Sequence, residues 1–336
     1  MCAALSASAW RLWRPKVRRV LISLTVLALV VVAGFAAVIA FSAPAPVAPM
    51  ASIADAFAGV DFSGMPEVAH FTARDGAALV YRAYPGDPTR IVVLIHGSSG
   101  TTASVHPLAR AVRARGATVY SVAMRGHDGT GRSGDIDYIG QLDDDLIDFV
   151  KTLGPRKNGE TRTLIGFSSG GGFALRFAGS ANRALFDRLI LISPQFPHDA
   201  PTVRPNAGGW VSIAIPRFVA LSVLSRVGIT AFNGLPVLAM AVDPKRATEV
   251  KQTPVYTFRM LRNFGPSDDY LGDLRRVRGP VSLFVGSEDD IFIAGKFEAL
   301  LRPVRPDISL KVLPGINHMG MTVKPAALDA IAAAVP

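Results

Sequence analysis

One cysteine in 336 residues, Cys2, leaves this chain no internal disulfide and no Cys/His spacing of a zinc site. Cys2 precedes the long apolar run, so it is not placed like the lipid-bearing cysteine of a bacterial lipoprotein. It reads as an inert cytosolic residue, with reversible acylation as the lesser alternative. Charge is also scarce. Asp, Glu, Lys and Arg make up 18% of the chain against 49% hydrophobic residues, which excludes a disordered chain and supplies a sizeable core. The net charge is +10, but five of the positive residues precede the apolar run, leaving +5 on the remainder. No basic stripe interleaves with aromatics, so nucleic acid is not an expected partner. A modest attraction to anionic lipid headgroups fits the balance better. No internal repeat is present, and no residue pattern sets an oligomeric state.

The apolar run is Val20 to Phe41, free of charge. As a helix it would span about 33 Å, enough for a bilayer core of about 30 Å. Arg11, Arg14, Lys16, Arg18 and Arg19 precede it with no acidic residue among them. That one-sided flank predicts a cytoplasmic basic tail over 1–19, a membrane anchor over 20–41, and the rest of the chain on the non-cytoplasmic side of the cell membrane. A cleaved signal peptide, giving a secreted or periplasmic protein, is the rival. Its apolar region is usually about 7–15 residues, and Pro46 follows the candidate Ala43-Pro44-Ala45 site. A buried core helix is the third reading, and the basic flank argues against it. Alternating prolines in Ser42–Pro49 predict an extended spacer within a linker over 42–66.

From residue 67 to 336 short apolar strands alternate with helical stretches. Strands are expected at Ala78–Tyr84, Ile91–Ile95, Thr118–Met124, Thr163–Phe167, Arg188–Ser193, Val281–Val285 and Ser309–Leu313. Helices are expected at about 104–115, 139–153, 170–178, 296–301 and 326–335. This is the pattern of an α/β domain, a mostly parallel sheet with helices on both faces. Residues of about 196–276 break the alternation. Trp210–Val227 predicts a helix kinked at Pro216, and Tyr256–Phe264 a second helix, together a helical cap inserted between two sheet strands.

Gly166-Phe167-Ser168-Ser169-Gly170 matches G-x-S-x-G, the strand–turn–helix elbow that exposes a nucleophilic serine. An apolar strand precedes it and a helical stretch follows, the context that the mechanism requires. Glycine two residues before and after the serine relieves the crowding of that turn. The rival is a glycine-rich turn that happens to hold a serine.

Four blocks give the chain its resemblance to the α/β-hydrolase superfamily, and to the branch of lysophospholipases, serine aminopeptidases and monoacylglycerol lipases. They are His96-Gly97-Ser98-Ser99-Gly100, Arg125-Gly126-His127, the elbow itself, and an ordered acid and base near the C-terminus. The resemblance implies Ser168 as nucleophile, His318 in Gly315-Ile-Asn-His318-Met-Gly320 as its base, and Asp289 in Gly286-Ser-Glu288-Asp289 as the acid, in the order Ser, Asp, His. Glu288 and Asp290 are alternative acids, and a merely solvated acidic turn is the bland reading. The resemblance also places oxyanion donors at the backbone N–H groups of Ser98 and Ser169, with His96, Gly97, Gly166 and Gly170 in structural support. His127 fits a structural loop position. His70, His106 and His198 match no motif and read as surface or packing residues. After Arg125-Gly-His the sequence departs from the family pattern: Asp128 and extra residues lengthen the loop at the edge of the site.

These residues imply a serine hydrolase working through an acyl-enzyme on carboxylic esters, lipophilic acyl esters such as a lysophospholipid or monoacylglycerol being first choice. No cofactor and no metal are called for. Peptidase, amidase or thioesterase chemistry on the same three residues is the nearest alternative. A non-catalytic binding protein on a hydrolase fold is the alternative of another class.

Overall fold

The computed structural model describes residues 4–50, 52, 55–242 and 244–336. Cys2 lies outside the described residues, as do the side chains of Arg11, Arg14 and Lys16. The chain divides into two compact units, one formed by the N-terminal stretch through Ala43 with Ala214–Thr230, the other by Pro44–Ile213 with Ala231–Pro336.

The larger unit is built on eight strands. In chain order they are β1 (Ala69–Thr72), β2 (Ala78–Tyr84), β3 (Asp87–Ile95), β4 (Ala117–Val122), β5 (Thr161–Phe167), β6 (Arg188–Ile192) and, after the insertion, β10 (Val281–Gly286) and β11 (Ser309–Leu313). They lie in the order β1-β2-β4-β3-β5-β6-β10-β11. β2 runs antiparallel to both β1 and β4, and every other neighbouring pair is parallel. Parallel strands covered on both faces need apolar side chains on both faces, which is why β3 and β5 read as unbroken apolar runs. Val93, Ile95 and Leu164 face one core cluster; Val92, Leu94 and Ile165 face the other.

Helices cover each face. The N-terminal helix α1 (Ala4–Phe41) is in the smaller unit. In the larger, α2 (His106–Ala114) contributes Leu108 and Val112 to the second cluster. α3 (Gln141–Thr152) and α4 (Ser169–Ala178) contribute Leu142, Leu146, Phe149, Phe173 and Phe177 to the first.

Between β6 and β10 the insertion is mixed rather than helical. It carries a small antiparallel sheet of β7 (Val211–Ile213), β8 (Pro236–Met240) and β9 (Val255–Thr257). Trp210–Val227 is therefore strand first and helix second, because Val211-Ser-Ile213 alternates and pairs with Leu238–Met240. α5 (Ile215–Arg226) starts at Ile215, so Pro216 sits in its first turn, where a missing N–H costs nothing, and starts the helix instead of kinking it. α6 (Pro244–Glu249) follows β8. Likewise Tyr256 belongs to β9, and α7 begins only at Phe258, running to Asn263, with the Thr257 hydroxyl capping the Met260 N–H at 3.2 Å. α8 (Tyr270–Arg276), α9 (Phe297–Leu301) and α10 (Pro325–Ala332) complete the unit, α10 adding Ala327 and Ile331 to the second cluster.

Part of 42–66 packs within the larger unit. The Met50 N–H donates to the Ala241 carbonyl, and the Ser63 carbonyl lies 3.2 Å from His106 Nε2. In the smaller unit, Val17–Phe41 is long and apolar enough to cross a membrane. α5 packs on α1, with Arg217 donating to the Ala40 carbonyl at 3.3 Å. The outer face of α5 carries exposed Ile215, Val219 and Val223, four residues apart, and exposed Val227 follows just past its end.

Candidate active site

β5 ends at Phe167, and Ser168 follows at φ +54°, ψ −120°, outside the ordinary range of L residues, before Ser169 opens α4. Such a turn costs about 1–3 kcal/mol and survives only when its surroundings fix it. Here they do. The Ser168 N–H donates to Ile192 at 2.9 Å, and its carbonyl accepts from Gly172 and Gln195 at 3.0 and 2.9 Å. The elbow glycines are required by space: a Cβ on Gly166 would run into the Gly170 carbonyl, and one on Gly170 into that of His96.

Three residues distant in the chain meet at this turn. His318 Nε2 lies 3.1 Å from Ser168 Oγ, and His318 Nδ1 lies 2.9 Å from Asp289 Oδ2. All three are buried, with Ser168 the most accessible at 8%. β10 carries Asp289 and β11 carries His318, each in the loop just past the strand's carboxyl end, so the parallel register brings both beside the end of β5. Asp289 Oδ1 accepts the N–H groups of Ile291 and Phe292 at 2.9 and 2.8 Å. Burial pushes this carboxyl up, but His318 and the Phe292 N–H outweigh it and hold it below the usual carboxylate range. The imidazole is wedged by Phe167, Trp210 and Phe292, with ring centroids 4.8, 5.4 and 5.4 Å away.

The two neighbouring acids do other work. Glu288 is exposed. Asp290 accepts from Trp210 Nε1 at 2.9 Å and from the His318 N–H at 3.3 Å, fixing the loop rather than the ring.

Ser98 lines the pocket in front of Ser168. Ser169 is the first residue of α4, where N–H groups have no intrahelical acceptor. His96 explains its own motif: Nε2 accepts the Met124 N–H at 3.1 Å, while Nδ1 sits 2.8 Å from the Gly97 carbonyl and so carries the hydrogen. One ring thus fastens the early loop to the end of β4. Asp128, in the lengthened loop, accepts from the Thr102 N–H at 3.0 Å and the Thr102 hydroxyl at 2.5 Å, tying that loop down. His106 is a packing residue beside the Tyr84 hydroxyl, 2.9 Å away. His198, which matches no motif, lines the pocket. Trp210 also lines the site and Tyr256 bonds to the Ser99 N–H behind it, both from the insertion and neither with a motif of its own. Among the described residues, no group of three or more His, Cys, Asp or Glu stands together in a way that would hold a metal ion.

The sequence model of the family described as serine aminopeptidase, S33, matches residues 86–322, most of the chain. The chain belongs to that family. Solved structures show how widely this fold of the S33 chain recurs. A soluble variant of monoglyceride lipase from Saccharomyces cerevisiae, in complex with a substrate analog, is 20% identical with a TM-score of 0.62, covering 81% of this chain and 94% of its own. The monoacylglycerol lipase of Paleococcus ferrophilus is 20% identical, TM-score 0.57, covering 76% and 96%. Carboxylesterase CesB of Bacillus subtilis is 14% identical, TM-score 0.53, covering 84% and 94%. No curated protein matches the S33 chain. The chain is an α/β-hydrolase by fold and family.

Proposed function

We propose that this chain hydrolyses neutral, lipophilic carboxylic esters through an acyl-enzyme on Ser168. One observation carries the substrate class. The pocket at Ser168 and His318 is walled by side chains such as Phe196, Val211, Ile213, Leu238, Met240 and Phe292, and among the described residues its lining includes no Asp, Glu, Lys or Arg. An aminopeptidase must hold the α-ammonium of its substrate, and a buried ammonium calls for a carboxylate partner. Among the described residues none lines this pocket. An acyl chain needs only apolar wall and gains about 0.8 kcal/mol for each buried CH2.

The chemistry follows from the proton positions. Asp289 accepts the Nδ1–H, leaving the Nε2 lone pair toward Ser168 Oγ. As Oγ bonds to the ester carbonyl carbon, its proton passes to Nε2. The N–H groups of Ser98 and Ser169 take the charge that gathers on the carbonyl oxygen. The C–O bond to the alcohol then breaks, and Nε2 returns the proton to the departing oxygen. Water repeats the cycle on the acyl-enzyme, with His318 again as base. A panel of esters from two to sixteen acyl carbons tests the reading. kcat/KM is expected to rise at least about tenfold from acetyl to octanoyl esters. A preference for acetyl esters, or aminoacyl anilides turned over as fast as the best ester, would overturn it.

The same proposal includes a membrane anchor. Val17–Phe41 supports it by length and apolarity, Arg18 and Arg19 by their place just before the charge-free run that starts at Val20, and α5, which packs on α1 and leaves an apolar stripe exposed, by the fit of that stripe to an interface. The full chain is expected to stay in the membrane pellet at alkaline pH with its N-terminus intact. A soluble product beginning near Pro46 would show a cleaved signal instead.

A further inference from the structure

We infer that Tyr256 is a positioning residue, its hydroxyl setting the loop that presents the Ser98 N–H to the reacting carbonyl. This rests on the reading of Ser98 as an oxyanion donor. Tyr256 comes from β9 of the insertion, is 1% exposed and does not line the pocket, so it stands behind the loop rather than against substrate.

A phenol hydroxyl has one hydrogen to give and two lone pairs to offer. The Ser99 N–H donates to the oxygen at 3.0 Å. The other partner is His127 Nε2 at 2.5 Å. The other nitrogen of that ring, Nδ1, faces only the carbonyl oxygens of Met124 and Arg125, at 3.2 and 3.3 Å. Carbonyls accept and never donate, so Nδ1 carries the hydrogen and Nε2 is the acceptor. The tyrosine hydrogen therefore goes to His127, and none remains for an oxyanion. His127 suits this task, because complete burial first, and the neighbouring His96 second, hold it in its neutral form.

What the hydroxyl holds is under strain. Ser99 sits at φ +57°, a left-handed conformation that glycine adopts easily and serine does not. Its N–H is the group fixed by Tyr256, and the Ser98 N–H belongs to the peptide unit just before. Without the phenol oxygen the Ser99 N–H loses its buried acceptor and the loop loses the tie that keeps it in that turn. The consequence belongs to the transition state, because an oxyanion donor acts on charge that is absent from the bound ester.

The test compares full-length wild type with Tyr256→Phe, which keeps the ring and removes only the oxygen. Active sites are counted by exhaustive labelling with a fluorophosphonate, and octanoyl ester turnover is expressed per labelled site. The labelled fraction is expected to stay near that of wild type, with kcat per site falling about 10- to 100-fold and KM within about twofold. His127→Gln keeps the hydroxyl and disturbs its acceptor, so the same split at smaller size is expected; it decides the matter if Tyr256→Phe does not accumulate. A kcat per labelled site within about twofold of wild type, or a loss confined to KM, would overturn the role of Tyr256. Wild type that never labels would remove the catalytic reading beneath it, so the two failures are distinguishable.

Discussion

Ser168→Ala is expected to leave less than about one ten-thousandth of ester turnover and to abolish fluorophosphonate labelling. The size follows from the geometry. Ser168 Oγ is the hydroxyl at the tip of the elbow, 3.1 Å from the imidazole nitrogen that would take its proton. The adjacent Ser169 offers no substitute: it is fully buried. Alanine keeps the Cβ and the same strained φ of +54°, so the elbow and its bonds to Ile192, Gly172 and Gln195 have no reason to change. Thermal unfolding and circular dichroism should therefore match wild type. A folded Ser168→Ala protein retaining more than about one hundredth of turnover would place the nucleophile elsewhere.

Asp289→Asn should cost about 10⁴-fold in kcat, for a reason specific to its contacts. Oδ1 accepts two backbone N–H groups, from Ile291 and Phe292. An asparagine must turn its oxygen to those donors, which directs its NH2 at His318 Nδ1. Nδ1 then becomes an acceptor, the ring hydrogen moves to Nε2, and a hydrogen faces Ser168 where a lone pair is needed. The neighbouring acids provide the contrast. Asp290→Asn keeps an oxygen for one of its two donors, Trp210 and the His318 backbone, and should cost less than about tenfold. Glu288→Gln, on the surface, should change little. Steady-state kinetics on the three variants at one pH checks the order. A larger loss in Asp290→Asn than in Asp289→Asn would reassign the acid.

The alternation of strands and helices was legible because β3, β5, β6 and β10 are apolar on both faces and bounded by glycine or polar loops. β1 carries no such mark, since its Ala-His-Phe-Thr segment buries only Phe71 fully and leaves no periodic signal. The elbow, the early loop and the late histidine were legible because each needs fixed residue types at fixed spacing: glycine where a Cβ would strike a carbonyl, histidine where a ring must bond in two directions. The insertion is not legible as strands for the opposite reason. An apolar stretch such as Trp210–Val227 satisfies a strand or a helix equally, and only the pairing partner at Leu238–Met240 decides. Tyr256 and Trp210 could not be found from sequence at all. Their roles come from hydrogen bonds to residues 80 to 157 positions away, and no local pattern encodes such a meeting.

The alternation of neighbouring residues in β3 and β5 between two separate cores has a consequence for how this protein fails. A slip of β5 by one position would send Leu164 and Ile165 to each other's side and swing Ser168 away from its partners at the same moment. Alignment for chemistry and alignment for packing are thus one and the same, so errors in threading this strand yield molecules that do not accumulate, rather than molecules that persist with altered reactivity.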